Sequence, residues 1–252
     1  MSRESGLLAV IPARGGSKGL PGKNLRLFAG LPLIAHSILF AKSCPEIGRV
    51  IVSTDSSEIA KVAQEYGAEI PFMRPAELAR DETPLWAVVR HALLALEGKE
   101  GPRYDALLLL DPTSPAREMK DVKVLAERLR GAQEADGIIS VTRPSFNPIW
   151  HCVVEREGWM EDLFPEGSFF DRRQDLPKVY RIDGSFYLWR TQFVRSREES
   201  WRRGGRYLLH EIPEIRAWSF DTKEQFEQAE HLVKNGKVRF LWLEDHKAPC
   251  AR

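Results

Sequence analysis

Cysteine is scarce in this 252-residue chain, and the three present, Cys44, Cys152 and Cys250, stand far apart with no C-x-x-C pair. Neither a disulfide framework nor a zinc site is indicated by that spacing. A reducing cytoplasm is the expected setting. Excess charge of either sign is also missing, since 37 Lys and Arg offset 36 Asp and Glu to leave +1. A general nucleic-acid binder needs a basic face to neutralise phosphates, so no nucleic-acid partner is expected. No apolar run approaches the roughly 20 residues that span a bilayer, so no membrane partner is expected either. The N-terminus, Met1-Ser2-Arg3-Glu4-Ser5, leads into only a short apolar run and shows no signal-peptide pattern. Internal repeats and low-complexity tracts are absent.

A further absence is local. No acidic residue occurs between Glu4 and Glu46, and this interval holds Ile11-Pro12-Ala13-Arg14-Gly15-Gly16-Ser17-Lys18-Gly19-Leu20-Pro21-Gly22-Lys23-Asn24. The preceding run, Leu7-Leu8-Ala9-Val10-Ile11, reads as a buried β-strand. Four glycines then let backbone N–H groups approach a ligand closely, while Arg14, Lys18 and Lys23 supply positive charge. A strand that empties into a glycine-rich, purely cationic loop suits a polyanion, and a triphosphate is the obvious candidate. Two familiar phosphate loops do not fit. Gly22-Lys23 has Ser17 where the P-loop needs glycine and Asn24 where it needs Ser or Thr; Gly15-Gly16-Ser17 breaks G-x-G-x-x-G. The plainer alternative is a surface loop whose lysines are merely solvated.

Hydrophobic residues at 43% and charged residues at 29% predict a packed α/β core. Helices are predicted over 32–43, from Ser56, over 84–96, over 118–130 and from Asp221, between strands at 49–54, 104–110 and 137–142. That alternation is the βαβ pattern of a mostly parallel sheet. Tyr104 to Leu110 is the most apolar strand and is expected at the centre. A short strand is predicted at 68–72, a returning strand at 185–190 and a last strand at 215–220. Arg195 to Arg206, with five arginines and Trp201, reads as an exposed loop. From Arg143 the helical period gives way to turns, aromatics and short strand-like runs. The expected organisation is an α/β domain over 1–142 and 183–243, a β-rich insertion over 143–182 and a polar tail over 244–252. Asp55 reads equally as a ligand contact or as a cap or turn residue.

The loop closely resembles the signature of the acylneuraminate cytidylyltransferases. The resemblance continues through Ser53-Thr54-Asp55-Ser56, Arg74-Pro75-Ala76-Glu77-Leu78-Ala79 and Pro112-Thr113-Ser114-Pro115. It ends with Arg173-Gln174-Asp175-Leu176-Pro177 and Asp183-Gly184-Ser185-Phe186-Tyr187. These blocks keep the family's order over about residues 7–235. The resemblance implies a Rossmann-like (GT-A-like) nucleotidyltransferase sheet with a dimerising insertion, and hence a homodimer. It implies transfer of CMP from CTP to the anomeric hydroxyl of a sialic-acid-like 3-deoxy-ulosonic acid, with pyrophosphate released. A nucleotide-sugar-using glycosyltransferase and a non-catalytic nucleotide-binding regulator are the alternatives.

Such a transfer rests mainly on positioning and charge neutralisation. The nucleotide site expected from the loop and the resemblance comprises Ala13, Arg14, Gly15, Gly16, Ser17, Lys18, Lys23, Asn24 and Arg74. Arg14 and Lys23 are expected to grip the phosphates; for Arg74 a salt bridge to Glu77 or Asp81 is the alternative. Magnesium is the expected metal. The family usually carries two aspartates one residue apart near the last strand, whereas Ser219-Phe220-Asp221 keeps only one. Asp111 stands where the family usually has Gln, so Asp111 and Asp221 together are the expected Mg²⁺ ligands. Their alternatives are a turn before Pro112 for Asp111 and a helix N-cap for Asp221. The resemblance implies sugar contacts from Arg173 and Arg181, with Gln174, Lys178 and Tyr180 beside them, Asn147 from the loop entering the insertion, and Asp183 where the family usually has Asn. Arginine suits the sugar carboxylate because its planar fork binds in bidentate fashion.

Overall fold

The first strand, β1 (Leu7–Pro12), carries consecutive apolar residues because both of its faces are covered. Leu7, Ala9 and Ile11 point into one core, and Leu8 and Val10 into the other. The computed structural model describes residues 6–16, 19–101 and 104–245, so Ser17, Lys18 and Cys250 lie outside the described residues.

In chain order β1 is followed by a short hairpin, β2 (Leu27–Phe28) and β3 (Leu31–Pro32), then α1 (Leu33–Ser43) and β4 (Ile47–Ser53). Next come α2 (Ser57–Glu65), α3 (Leu85–Glu100), β5 (Ala106–Leu109), α4 (Met119–Gly131) and β6 (Gly137–Thr142). A helical turn, α5 (Pro148–His151), leads to a hairpin of β7 (Val153–Arg156) and β8 (Trp159–Asp162). The chain ends with β9 (Arg181–Arg190), α6 (Thr191–Ser196), β10 (Tyr207–Glu211), α7 (Lys223–Lys234) and α8 (Trp242–Asp245).

The main sheet has the order β10-β6-β9-β5-β1-β4. β1 pairs in parallel with β4 and β5, and β6 with β10; β9 runs antiparallel between β5 and β6. The mostly parallel sheet read from the sequence is therefore present, with the apolar 104–110 run at its centre. Leu107, Leu108, Leu109 and Leu110 are all fully buried. Each such side chain contributes about 1.5–3 kcal/mol of hydrophobic stabilisation.

Three expectations need correction. The last strand is Tyr207–Glu211, not 215–220. After Pro213 the chain makes one 3-10 turn, Glu214–Arg216, and residues 217–220 then cross to the loop after β5 instead of entering the sheet. Trp201 is not on a bare loop: its ring packs on Tyr187, Trp189 and Tyr207, 5.2–5.9 Å between centroids. The run at 68–72 contributes a single parallel bridge from Glu69 to Ile51. Among the described residues no helix is long and apolar enough to cross a membrane.

Candidate active site

The carboxyl ends of β1, β4 and β5 converge on one cleft of about 460 Å³. Ligands in open α/β sheets gather at this end because the loops there are free to vary. Along one wall lies the glycine loop. Ala13 N–H donates to the Ser53 carbonyl at 3.0 Å, which continues the β1–β4 ladder one residue into the loop. Gly15 N–H donates to Asp55 Oδ1 at 2.9 Å. Asp55 thus holds the loop, while Ser56 caps α2 by accepting from Ile59 N–H at 3.3 Å. Gly16 is exposed with open space around its α-carbon.

Gly19 and Gly22 are required for different reasons. A methyl on Gly19 would strike the Asp221 carbonyl oxygen, so only glycine lets the loop lie against that backbone. Gly22 has φ 66°, a left-handed conformation that starts the 3-10 turn Lys23–Leu25. That turn delivers Lys23 to the cleft. Its Nζ donates to the Phe220 carbonyl at 2.6 Å and stands 3.6 Å from Asp221 Oδ1. Asn24 is buried and its Nδ2 donates to the Arg14 carbonyl at 3.1 Å, tying the two ends of the loop together.

A second stretch of the lining wall runs from Arg74 to the start of α3. Arg74 is buried and donates from Nε to Ser53 Oγ at 3.1 Å and from Nη2 to the Ser53 carbonyl. Burial pushes its guanidinium down to about 10, with Asp55 opposing the shift and Arg14 adding to it. It remains protonated at neutral pH. The Arg74–Glu77 or Arg74–Asp81 bridge is not the arrangement found. Asp81 pairs instead with Arg14 Nη1 at 2.5 Å. Leu78, Arg80, Asp81, Thr83, Leu85 and Val88 complete this wall.

Asp111 and Asp221 both line the cleft. Asp111 Oδ1 accepts from Thr113 N–H at 2.9 Å and from Thr113 Oγ1 at 2.8 Å, so the turn before Pro112 is real and coexists with a place in the cleft. Asp221 is not the cap of α7. Thr222 fills that role, forming a capping box with Gln225. The side chain of Asp221 is 72% exposed. Its segment is anchored from below: Phe220 N–H donates to the Thr113 carbonyl at 3.2 Å and Ser114 Oγ to the Trp218 carbonyl at 2.7 Å. Phe28 of β2 packs against Trp218, Phe220, Phe226 and Phe240, which fixes the same segment against the glycine loop. Among the described residues no three or more His, Cys, Asp or Glu form a metal cage. Two aspartates facing one polar cleft are an all-oxygen donor set, which suits magnesium when substrate phosphates and water supply the rest.

The expected sugar contacts are not brought into this cleft. Asp183 is buried: its Oδ1 accepts from Ser185 N–H at 2.7 Å and Ser140 Oγ at 2.9 Å, and its Oδ2 has no hydrogen-bond partner among the described residues. Asn147 caps α5 and donates to the Pro177 carbonyl at 3.1 Å. Arg173 and Gln174 sit in the exposed 3-10 turn Arg173–Asp175, and Lys178 is exposed. Tyr180 lies beneath the Arg143 guanidinium. Arg181 lines a separate, smaller hollow with Trp218, Gln225 and Gln228, beside the Asp221 segment. Tyr187 faces the same end of the sheet; burial, then Asp111 and Asp183, push its phenol up to about 12. Arg80 and Thr83 were not expected in the site, and Asp81 was expected only as a partner of Arg74. The signal was available, since Arg80-Asp81-Glu82-Thr83-Pro84 follows directly on the Arg74–Ala79 block and precedes a helix.

Comparison with known proteins bears on this geometry. The family described as cytidylyltransferase matches residues 8–240. The flagellin modification protein B of Campylobacter coli is 33% identical over 93% of this chain and 98% of its own. CMP-N,N'-diacetyllegionaminic acid synthase of Legionella pneumophila is 38% identical over 72% of this chain and 77% of its own. Among solved structures, CMP:2-keto-3-deoxy-manno-octonic acid synthetase complexed with CTP superposes with a TM-score of 0.68 at 20% identity, covering 92% of this chain and 100% of that one. The fold is thus the Rossmann-like nucleotidyltransferase fold.

Proposed function

The chain belongs to the cytidylyltransferase family of enzymes, and from that premise we propose that it transfers CMP from CTP to the anomeric hydroxyl of a sialic-acid-like 3-deoxy-ulosonic acid. The observation that carries this reading is the cleft itself. Its glycine loop presents Arg14 and Lys23, the stretch after Arg74 adds Arg74 and Arg80, and Asp111 and Asp221 share it. The anomeric hydroxyl oxygen attacks the α-phosphorus of CTP and gives up its proton to solvent, a new P–O bond forms, and the bond to the bridging oxygen breaks to release pyrophosphate. Arg14 and Lys23 neutralise the charge that builds on the phosphoryl and leaving oxygens. Arg74, fixed by Ser53, adds its charge beside Arg14. Asp111 and Asp221 would hold Mg²⁺, which when bound adds a further positive charge against the triphosphate.

Support for the sugar class comes from the relatives, one of which is named for N,N'-diacetyllegionaminic acid. Another, from Campylobacter jejuni, is named for pseudaminic acid and is 35% identical over 72% of this chain. The segment over 143–182 is the proposed subunit contact of a homodimer. Trp159 and Met160 are each 76% exposed and Phe169 is 81% exposed, a concentration of apolar surface that a partner would cover. Arg173, Gln174 and Lys178 on that segment then belong to a sugar site completed by the partner. Free Cys44 and Cys152 suit a reducing cytoplasm.

The test is a panel in which the protein is mixed with CTP, Mg²⁺ and, in turn, sialic, legionaminic, pseudaminic and octulosonic acids, with pyrophosphate measured. Release with one acid and not the others identifies the acceptor. Tight CTP binding with no release from any acid would favour a nucleotide-binding regulator instead.

A further inference from the structure

Directly beneath the Asp111 turn lies a charge that the proposed reaction does not use. Arg117 precedes α4 and is only 2% exposed. Its Nη2 donates to the Asp111 carbonyl at 2.6 Å, its Nε to the Ser185 carbonyl at 2.7 Å and its Nη1 to Ser37 Oγ at 2.9 Å. Phe40 and Phe186 pack around the guanidinium, their ring centroids 5.9 and 5.8 Å from it. All three acceptors are neutral. The carboxylates that oppose its charge, Asp111 and Asp183, act on it across a longer distance. A charge buried without a close counter-ion is costly, and an apolar side chain of similar volume would pack between the two phenylalanines without that cost.

What the arginine supplies is a three-way tie. Its planar fork fastens the Asp111 peptide to β9 through Ser185 and to α1 through Ser37. From the other side Thr113 holds Asp111 Oδ1. The carboxylate is therefore fixed at both its backbone and its inner oxygen, on a turn that is also bonded to the Asp221 segment. We propose that Arg117 is a positioning residue: it holds the Asp111 carboxylate at a set angle to Asp221, so that the pair acts as one divalent-cation site. This rests on the reading of Asp111 and Asp221 as metal-holding carboxylates.

The test measures cation binding directly. Mn²⁺ is titrated into the enzyme–CTP complex without acceptor sugar, and free Mn²⁺ is followed by its electron paramagnetic resonance signal. Arg117→Lys keeps the charge and loses the fork; it should weaken Mn²⁺ binding about 10–100-fold, the range typical of outer-shell partners of metal ligands. Ser37→Ala removes one acceptor and leaves the arginine in place, so it serves if Arg117→Lys does not fold; a several-fold weakening is expected. Each change is repeated in an Asp111→Asn background, where neither should weaken binding further. Wild-type Mn²⁺ affinity in both folded single variants overturns the proposal, as does a loss in the double variants that adds to that of Asp111→Asn. Should Asp111→Asn alone bind Mn²⁺ as the wild type does, the reading of Asp111 as a ligand fails first, and Arg117 loses its role with it.

Discussion

Arg14→Met and Asp81→Asn should move CTP affinity in opposite directions, and the sizes follow from the geometry. Without ligand, Arg14 pairs with Asp81 at 2.5 Å, with side chains 31% and 38% exposed. After solvent screening and loss of side-chain freedom, such a pair is worth about 0–1 kcal/mol. A hydrogen bond from the same guanidinium to a phosphate oxygen is worth about 1.5–3 kcal/mol. The phosphate therefore wins, and the exchange from Asp81 to ligand leaves a net of about 1–2 kcal/mol. Arg14→Met should weaken CTP binding about 5–30-fold. Asp81→Asn removes the competitor and should tighten CTP binding by up to about fivefold. Calorimetric titration with CTP and Mg²⁺, with no acceptor sugar present, reads both without turnover. Unchanged affinity in Arg14→Met would refute the placement of the phosphates at the loop. Weaker binding in Asp81→Asn would show that Asp81 holds Arg14 ready for the ligand and does not compete with it.

Gly19→Ala should push the loop off the Asp221 backbone, costing about 1–3 kcal/mol of stability and on the order of 100-fold in kcat. A thermal melt and a turnover assay check both, and wild-type values would mean that the loop does not lie there. His36 gives a pH dependence of stability. Its Nε2 bonds to the Phe28 carbonyl at 2.7 Å and its Nδ1 accepts from Trp242 Nε1 at 3.3 Å, so the neutral ring satisfies both neighbours. Burial, opposed by the Phe28 bond, pushes its pKa down to about 4, against an ordinary 6.5. Between those values the unfolded chain binds the proton and the folded chain does not. The stabilisation is full above pH 6.5 and falls by about 3 kcal/mol as the pH drops to 4. Urea unfolding should show that slope in the wild type and a flatter one in His36→Gln; equal slopes would exclude His36 as its source. Trp159→Glu with Met160→Glu should shift a homodimer to monomer in analytical ultracentrifugation, and an unchanged sedimentation coefficient would remove the hairpin from the interface.

Much of the site was legible because its parts are local. The glycine loop is one continuous stretch after a buried strand, and Asp111 ends the most apolar strand, so the sheet's own geometry brings both to one cleft. The exchange of partners was not legible. Arg14 finds Asp81, and Arg74 finds Ser53, through contacts between segments distant in sequence that no period or spacing encodes. Burial of Asp183 was hidden for a similar reason: it depends on β9 running antiparallel beside β6, where Ser140 meets it. The misplaced last strand has a different cause. Within residues 215–220, Trp218 and Phe220 are apolar because they pack on Phe28, not because they ladder. Apolar content alone does not distinguish those two uses.

The central claim is that the bend after β1 cradles a nucleoside triphosphate, and a crystal structure with CTP and Mg²⁺ tests it most directly. The triphosphate is predicted to lie against the backbone of Gly15 and Gly16, within hydrogen-bond reach of Arg14 and Lys23, with the metal between Asp111 and Asp221. Nucleotide density at any other end of the sheet, with the Arg14–Asp81 pair intact, would contradict the account.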